Sequence, residues 1–516
     1  MSEGRLDRAI VAFGAVAPTP MRGRATEAAL EGAVLNDETI ARIATVAGDE
    51  IKPISDVRAG AWYRRQIVRE PARQSSDVRL TLDLSLQHLL ERELDEALRD
   101  TGAKAATAVI LDPRNGQVLA MANRPTVNRN ARGNPPANAR ANRATEHAFE
   151  PGSTFKIVPM ALALEHGTID LGERIYCHDG KPYRTRYGRS INDVGKNGML
   201  TPRSIVAKSS NIGMVKINQR LDSKSLREGI LRFGFAQRTG IELPAESPGL
   251  LAELKDWTSY THDSLAFGQE ISATALQVAS AMATIANDGV RVEPRVGFGR
   301  QDVDGVLLPF EPAPSHRVVS VETARTVRDM LEEVVEKGSG SAARLPGYRV
   351  AGKSGTAQKS VPGKRGYHPT DYFASFVGFA PASDPALVVL VALDSPRGSR
   401  VQGGEVAAPV FAGILAEALQ YLRLPKDAEP PLATEPAPMA QFLAPTNTSG
   451  PAVTPGLVPD VRGRTLREAI ATLSAQGYRA RVNGNGLIDR QTPAPGTPLA
   501  RGGVCDLHAG SRKEAG

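Results

Sequence analysis

Between Ser153 and Leu164 the chain is apolar almost without a break, and Lys156 is its one charged residue. A segment this long and apolar on every side reads as a helix buried on every side. The chain must therefore build a core around it. Pro151-Gly152 ends an irregular arginine-rich stretch just before it. Pro159 must either bend the helix or sit where its missing N–H is not needed. Residues three apart share a helix face, so Lys156 is expected above Ser153. Burial or a neighbouring cation lowers a lysine pKa, and a neutral amine there can take the serine proton. The start of the helix also aims backbone N–H groups at Ser153.

Two further motifs follow in order, Ser209-Ser210-Asn211 and Lys353-Ser354-Gly355-Thr356. Each is weak by itself in a chain this long, and their value lies in order and context. Together they supply an acyl-transfer site. Ser153 is the nucleophile and Lys156 its base. Ser209 relays a proton to the leaving group, and Asn211 holds a substrate amide. Lys353 is the cation that depresses Lys156, and with Thr356 it holds a terminal carboxylate. Tyr348 to Gln358 reads as a strand. Gly352 and Gly355 within it make sense where another backbone comes close. A substrate peptide pairing with this edge would lie along Ser354, Gly355 and Thr356. The N–H groups of Ser153 and Thr356 would form the oxyanion hole.

This motif set resembles that of the penicillin-binding proteins. Residues 79–420 look like a class B member, and within that class the division-type enzymes fit best. Val78 to Asp83 followed by a helix Leu84–Asp100 is similar to the family's entry into its transpeptidase domain. Ala106–Pro113 and Gln117–Asn123 read as strands around the turn Arg114-Asn115-Gly116. A helix Ser272–Asn287, strands Tyr372–Pro381 and Ala386–Asp394, and a closing helix Ala408–Leu422 complete the pattern. The resemblance implies an α+β fold, an antiparallel sheet flanked by helices. It implies a peptidoglycan D,D-transpeptidase that works through a Ser153 acyl-enzyme and binds β-lactams covalently, with no cofactor or metal. Its partners would be peptidoglycan stem peptides, a glycosyltransferase and other division proteins, at the extracytoplasmic face of the cell membrane.

With 516 residues, two to four domains are the starting expectation. The transpeptidase domain is placed at 78–424 and a Pro/Ala-rich linker at 425–455. Residues 456–510 then read as a small α/β unit. Thr465 and Glu468 make a capping box, Leu466, Ile470 and Leu473 form a buried face, and Gly477 stops the helix. Tyr478–Val482 and Val504–Leu507 read as strands. Val458 to Gly463, with Gln491, Pro493 and Pro495-Gly496, resembles a PASTA domain. Residues 1–77 are read as a short N-terminal segment, a truncated or atypical pedestal. The longest apolar run there, Ala9 to Ala17, falls far short of the ~20 residues of a spanning helix, so the family's anchor is expected outside this chain.

The net charge of +7 raises the question of nucleic acid, but aromatics are only 5% of the chain and no binding motif is present. The arginines between Asn123 and Arg143 are read instead as a solvated loop bordering the cleft. Cys177 and Cys505 fall in different domains and suggest neither a metal site nor a redox pair. His147 stands close before the nucleophile, but Lys156 fits better as the base. Two alternatives to transpeptidation remain. A carboxypeptidase or β-lactamase on the same scaffold would need a deacylating carboxylate. Glu246 lies where such a loop might fall, but lacks the partner Asn. The third reading is a non-catalytic wall-binding or penicillin-sensing protein.

Overall fold

The computed structural model describes residues 9–13, 21–34, 36–51, 77–127, 137–302, 305–361, 366–428, 456–484 and 486–510. The chain divides into two compact units. The larger comprises Thr81–Val296 and Pro312–Pro430, the smaller Met1–Leu80, Gly297–Glu311 and Pro431–Gly516.

In the larger unit, helix α1 (Leu84–Thr101) starts where the Asp83 carboxylate accepts from the N–H groups of Ser85 and Leu86, and it stops at Gly102 with φ +59°. Strands β1 (Ala105–Leu111) and β2 (Val118–Arg124) follow. Next come helices α2 (Ile157–Glu165), α3 (Pro202–Ala207), α4 (Asn211–Asn218), α5 (Ala275–Ala286) and α6 (Val321–Lys337). Strands β3 (Ala351–Ser360), β4 (Tyr367–Ala380) and β5 (Leu387–Asp394) precede the closing helix α7 (Gly403–Tyr421). The five strands form one antiparallel sheet in the order β3-β4-β5-β1-β2.

Helices cover both faces of this sheet, which explains its sequence. Strand β1 is apolar without alternation, and all seven of its residues are buried. On one face Val109 and Leu111 pack with α2, α4, α5 and α6. On the other Ala106, Ala108 and Ile110 pack with α1 and α7. Strand β5 splits its residues between the same two cores. A strand covered on both sides has no polar face to alternate with.

Three details depart from the sequence reading. The segment expected as one helix from Ser153 begins as a 3₁₀ turn, Gly152–Lys156, and becomes α-helical at Ile157. Pro159 then falls in the first turn of α2, where its missing N–H costs nothing. Helix α7 starts upstream of the expected Ala408. Gln402 and Glu405 form a capping box there, and Pro409 is tolerated inside the helix. The arginine-rich stretch is not wholly loop. Arg124 ends β2 and pairs with Asp95 at 2.5 Å, and Arg143 pairs with Asp394 at 2.9 Å. Its middle, 128–136, lies outside the described residues.

In the smaller unit the expected helix is present as Leu466–Ala475, with the Thr465–Glu468 capping box, buried Ile470 and Leu473, and Gly477 at φ +78°. The expected strands are Arg479–Gly484 and Val504–Gly510, which pair in parallel. A third, Leu487–Thr492, was not foreseen. It is a polar edge strand, and its Asp489-Arg490-Gln491 gives no apolar signal. The sheet does not end with these three strands. Arg479–Gly484 also pairs with Val306–Pro309, which continues to Gly297–Gln301 and then to Asp77–Leu80. Leu307 is 2% exposed and shares an apolar cluster with Val461, Leu473, Val482 and Leu507. Nearer the N-terminus, the helices Arg24–Leu30 and Asp37–Glu50 are joined by the Glu50 carboxylate, which accepts from the N–H groups of Ala25 and Thr26. The expected linker lies outside the described residues from 429 to 455, and the run Ala9–Ala17 does so from Gly14 onward. Among the described residues no helix is long and apolar enough to cross a membrane.

Candidate active site

The nucleophile turn is held by backbone. Gly152 adopts φ +56°, and its N–H donates to the carbonyl of Gly268 at 3.1 Å. A Cβ on Gly268 would stand 2.2 Å from the Gly152 oxygen, so only glycine fits against the turn. The Thr154 hydroxyl donates to the Pro151 carbonyl at 2.8 Å. In a 3₁₀ turn, residues three apart eclipse one another. Ser153 and Lys156 are therefore in closer alignment than an α-helix would give. Ser153 is half-buried, whereas Lys156 is wholly buried.

The second motif closes over Lys156. Its Nζ lies 2.6 Å from the Ser209 carbonyl, 3.2 Å from Ser209 Oγ and 2.7 Å from Asn211 Oδ1. Lys353, also wholly buried, reaches the same hydroxyl from the other side, with Nζ 2.9 Å from Ser209 Oγ and 3.1 Å from the Ser354 carbonyl. Ser209 Oγ thus stands between two lysine nitrogens. The backbone of Ser209 is left-handed, with φ +57°, a conformation that costs a non-glycine residue about 1–3 kcal/mol.

Burial sets the electrostatics. It holds the Lys156 amine well below the usual lysine range; the Lys353 charge pushes the same way, and Asp193 opposes both. Burial alone brings Lys353 down to about 7. The expectation that Lys353 depresses Lys156 is therefore right in direction, but burial comes first.

Sequence reasoning missed Asp193. Its Oδ1 accepts from the N–H groups of Asn211 (2.6 Å) and Ile212 (2.9 Å), and its Oδ2 accepts from Ser210 Oγ (2.6 Å) and Asn197 Nδ2 (2.8 Å). It thereby anchors the start of α4 and, with it, the second motif. Asn192 adds its carbonyl, which accepts from Asn211 Nδ2 at 3.0 Å. That bond turns Asn211 Oδ1 toward Lys156. Both ends of the carboxamide expected to hold substrate are thus engaged within the protein.

The third motif lies on β3, an edge strand of the sheet, as peptide pairing requires. A Cβ on Gly355 would stand 2.9 Å from both the Pro151 carbonyl and Thr154 Cγ2. This is the close approach that its glycine suggests. Thr356 Oγ1 accepts from the Gly403 N–H at 3.0 Å. His147 caps the short helix Arg143–Glu146, and Lys156, not His147, reaches the second motif. Glu246 is buried and accepts from the N–H and hydroxyl of Thr239 at 2.7 and 2.6 Å, so it ties a loop together.

Comparison with known proteins bears on this geometry. Residues 106–416 match the family model of the penicillin-binding protein transpeptidase domain. The chain belongs to that family. Residues 456–507 match the PASTA domain, and residues 1–74 match a different model, the CO dehydrogenase flavoprotein C-terminal domain. Among curated relatives, the probable peptidoglycan D,D-transpeptidase PbpC of Pseudomonas aeruginosa is 36% identical over 380 residues, 73% of this chain and 65% of its own length. Stage V sporulation protein D of Bacillus subtilis is also 36% identical, over 68% of this chain and 55% of its own. The chain thus spans roughly 55–65% of the length of these relatives. Among solved structures, penicillin-binding protein 3 of Mycobacterium tuberculosis complexed with aztreonam is 31% identical, with a TM-score of 0.65, covering 82% of this chain and 95% of that one. The apo transpeptidase domain of Burkholderia pseudomallei penicillin-binding protein 3 gives 32% and 0.60, covering 68% and 98%. The fold is that of the penicillin-binding transpeptidases.

Proposed function

We propose that this chain is a serine-type peptidoglycan D,D-transpeptidase of the division class. The observation that carries the reading is the convergence of two buried lysines on Ser209 Oγ, at 3.2 and 2.9 Å, beside the nucleophile turn. Neutral Lys156 takes the Ser153 proton as Oγ attacks the carbonyl of a D-Ala–D-Ala bond. The N–H groups of Ser153 and Thr356 receive the developing oxyanion. Lys156 then passes the proton through Ser209 to the departing D-Ala amine. An acceptor amine attacks the Ser153 ester, and its proton returns by the same route. Ser354, Gly355 and Thr356 line the donor peptide, and Lys353 supplies positive charge beside the relay.

The substrates are stem peptides at the extracytoplasmic face of the cell membrane, and β-lactams occupy the same site. A glycosyltransferase and other division proteins are the expected partners. In this reading residues 78–424 are the transpeptidase domain and 456–510 the PASTA domain. Glu246, the one carboxylate considered for deacylation, is committed to Thr239, which favours transfer over hydrolysis.

Excess chromogenic cephalosporin should give one stoichiometric burst and almost no steady state. The adduct should lie on Ser153 by mass spectrometry and be absent in Ser153→Ala. Sustained turnover at ~1–1000 per second would mean a hydrolase, and an adduct on another serine would remove the assignment.

A further inference from the structure

Ser339 follows α6 in the sequence Gly338-Ser339-Gly340, away from all three motifs. Its side chain is exposed, and its Oγ lies 3.0 Å from Oγ of the buried Ser354. The loop that carries it is pinned on two sides. The Ser339 N–H donates to the carbonyl of Ala207, the last residue of α3, at 3.2 Å. A Cβ on Gly404, in the first turn of α7, would stand 2.3 Å from the Ser339 carbonyl. The hydroxyl is therefore held beside the third motif by the start of α7 and by the end of α3, which leads into the second motif.

Ser354 and Thr356 are two apart on β3 and share one face of it. Thr356 Oγ1 accepts from a backbone N–H, which leaves its proton to donate elsewhere. Whichever of Ser339 and Ser354 accepts from the other, one proton of the pair likewise stays free. The three hydroxyls thus offer two free donors beside the edge where a donor peptide would lie. The group at the end of such a peptide that takes several donors is its carboxylate.

We propose that Ser339 is a positioning residue for substrate specificity. It fixes the Ser354 hydroxyl so that, with Thr356, it receives the terminal carboxylate of the donor. This rests on the transpeptidase reading and adds a residue outside the three motifs to it.

The test is acylation of the full chain by benzylpenicillin and by its methyl ester, which lacks the carboxylate charge. Wild type should prefer the acid. Ser339→Ala should lower that preference about tenfold or more with unchanged rate on the ester, and Ser339→Thr should retain it. The melting temperature of all three proteins should agree. Equal losses on acid and ester, no loss on either, or a wild type indifferent to the ester would each overturn the proposal while leaving Ser153 acylation intact. A wild type that neither compound labels would refute the transpeptidase reading as well.

Discussion

Two clusters of cations in the larger unit are built on opposite rules, one paired and mostly exposed, the other unpaired and wholly buried. Around an open cavity of about 610 Å³, Arg114, Arg325, Arg328 and Arg349 each meet a carboxylate. Asp288 takes Arg325 at 3.0 Å and Arg328 at 2.7 Å, Glu332 takes Arg349 at 2.8 Å, and Asp384 takes Arg114 at 3.1 Å. At the active site, the oxygens around Lys156 and Lys353 are carbonyls, a hydroxyl and a carboxamide, all neutral. A cation paired with a carboxylate stays a cation. A charge that is buried among neutral dipoles gives up its proton more readily. The first arrangement keeps its cations as ion pairs, and the second makes a base.

The strongest break of this contrast is at Lys156. Lys156→Ala should slow acylation by penicillin about 10²–10⁴-fold, the usual scale of a lost general base. Lys156→Arg should lose as much, because a guanidinium keeps its charge but cannot give up its proton. Near-wild-type labelling kinetics in the arginine variant would mean that charge, not basicity, matters there.

Asp193→Asn tests the one carboxylate that touches the site indirectly. An amide cannot accept from all four of the donors that Asp193 holds, so acylation should fall by about tenfold. The Asp193 charge raises the Lys156 pKa, so its loss should move the acid limb of the rate–pH profile to lower pH. A limb that stays in place would show that Asp193 is only a cap.

Lys353→Met probes the cost of an unpaired cation. Lys353 has a folded pKa of about 7, below the ~10.4 of an unfolded lysine. Between these values the unfolded chain holds a proton that the folded one lacks, so wild-type stability rises with pH across the window. The methionine variant should be the more stable at pH 6 and lose that advantage from pH 7 to 10. A difference constant with pH in chemical unfolding would contradict a depressed Lys353.

The smallest effect is expected at the paired cluster. Asp288→Asn leaves the mostly buried Arg328 without its carboxylate, and Asp288 is itself partly exposed. The loss should be about 1–2 kcal/mol, with penicillin acylation unchanged. Arg325 and Arg328 hold the Asp288 carboxyl below its usual value. Its contribution is therefore present above pH ~4 and lost as pH falls through the lowered pKa, which urea unfolding at pH 3 and pH 7 would show.

The chemistry of the site was legible because it is local. Ser153 and Lys156 declare themselves by spacing, and Lys156 by the apolar run around it. Gly355 was readable as a close approach because a glycine inside a strand has few other uses. Asp193 left no trace in the sequence. It lies 18 residues before Asn211, in a polar loop where an aspartate is unremarkable, and only the fold brings it to the start of α4. Ser339 was hidden for the same reason. The 3₁₀ start of the nucleophile turn was also invisible, because it is imposed by Gly268 from a distant part of the chain. The long apolar strands were found easily. The edge strand Leu487–Thr492 was not, since its exposed side carries polar residues.

The mixed sheet of the smaller unit has a consequence for how the protein is made. Its strands come from residues 77–80, 297–309 and 479–510. Leu307 packs against apolar residues that the ribosome delivers up to about 200 residues later. At roughly 5–20 residues per second, the hairpin waits about 10–40 s with Leu307 and an unpaired strand edge open to solvent. Residues 456–510 act as a late closing step, and a chain stopped before them would carry an adhesive edge. Chaperone demand during synthesis should therefore fall once Arg479–Gly484, the strand that pairs with Val306–Pro309, has left the ribosome.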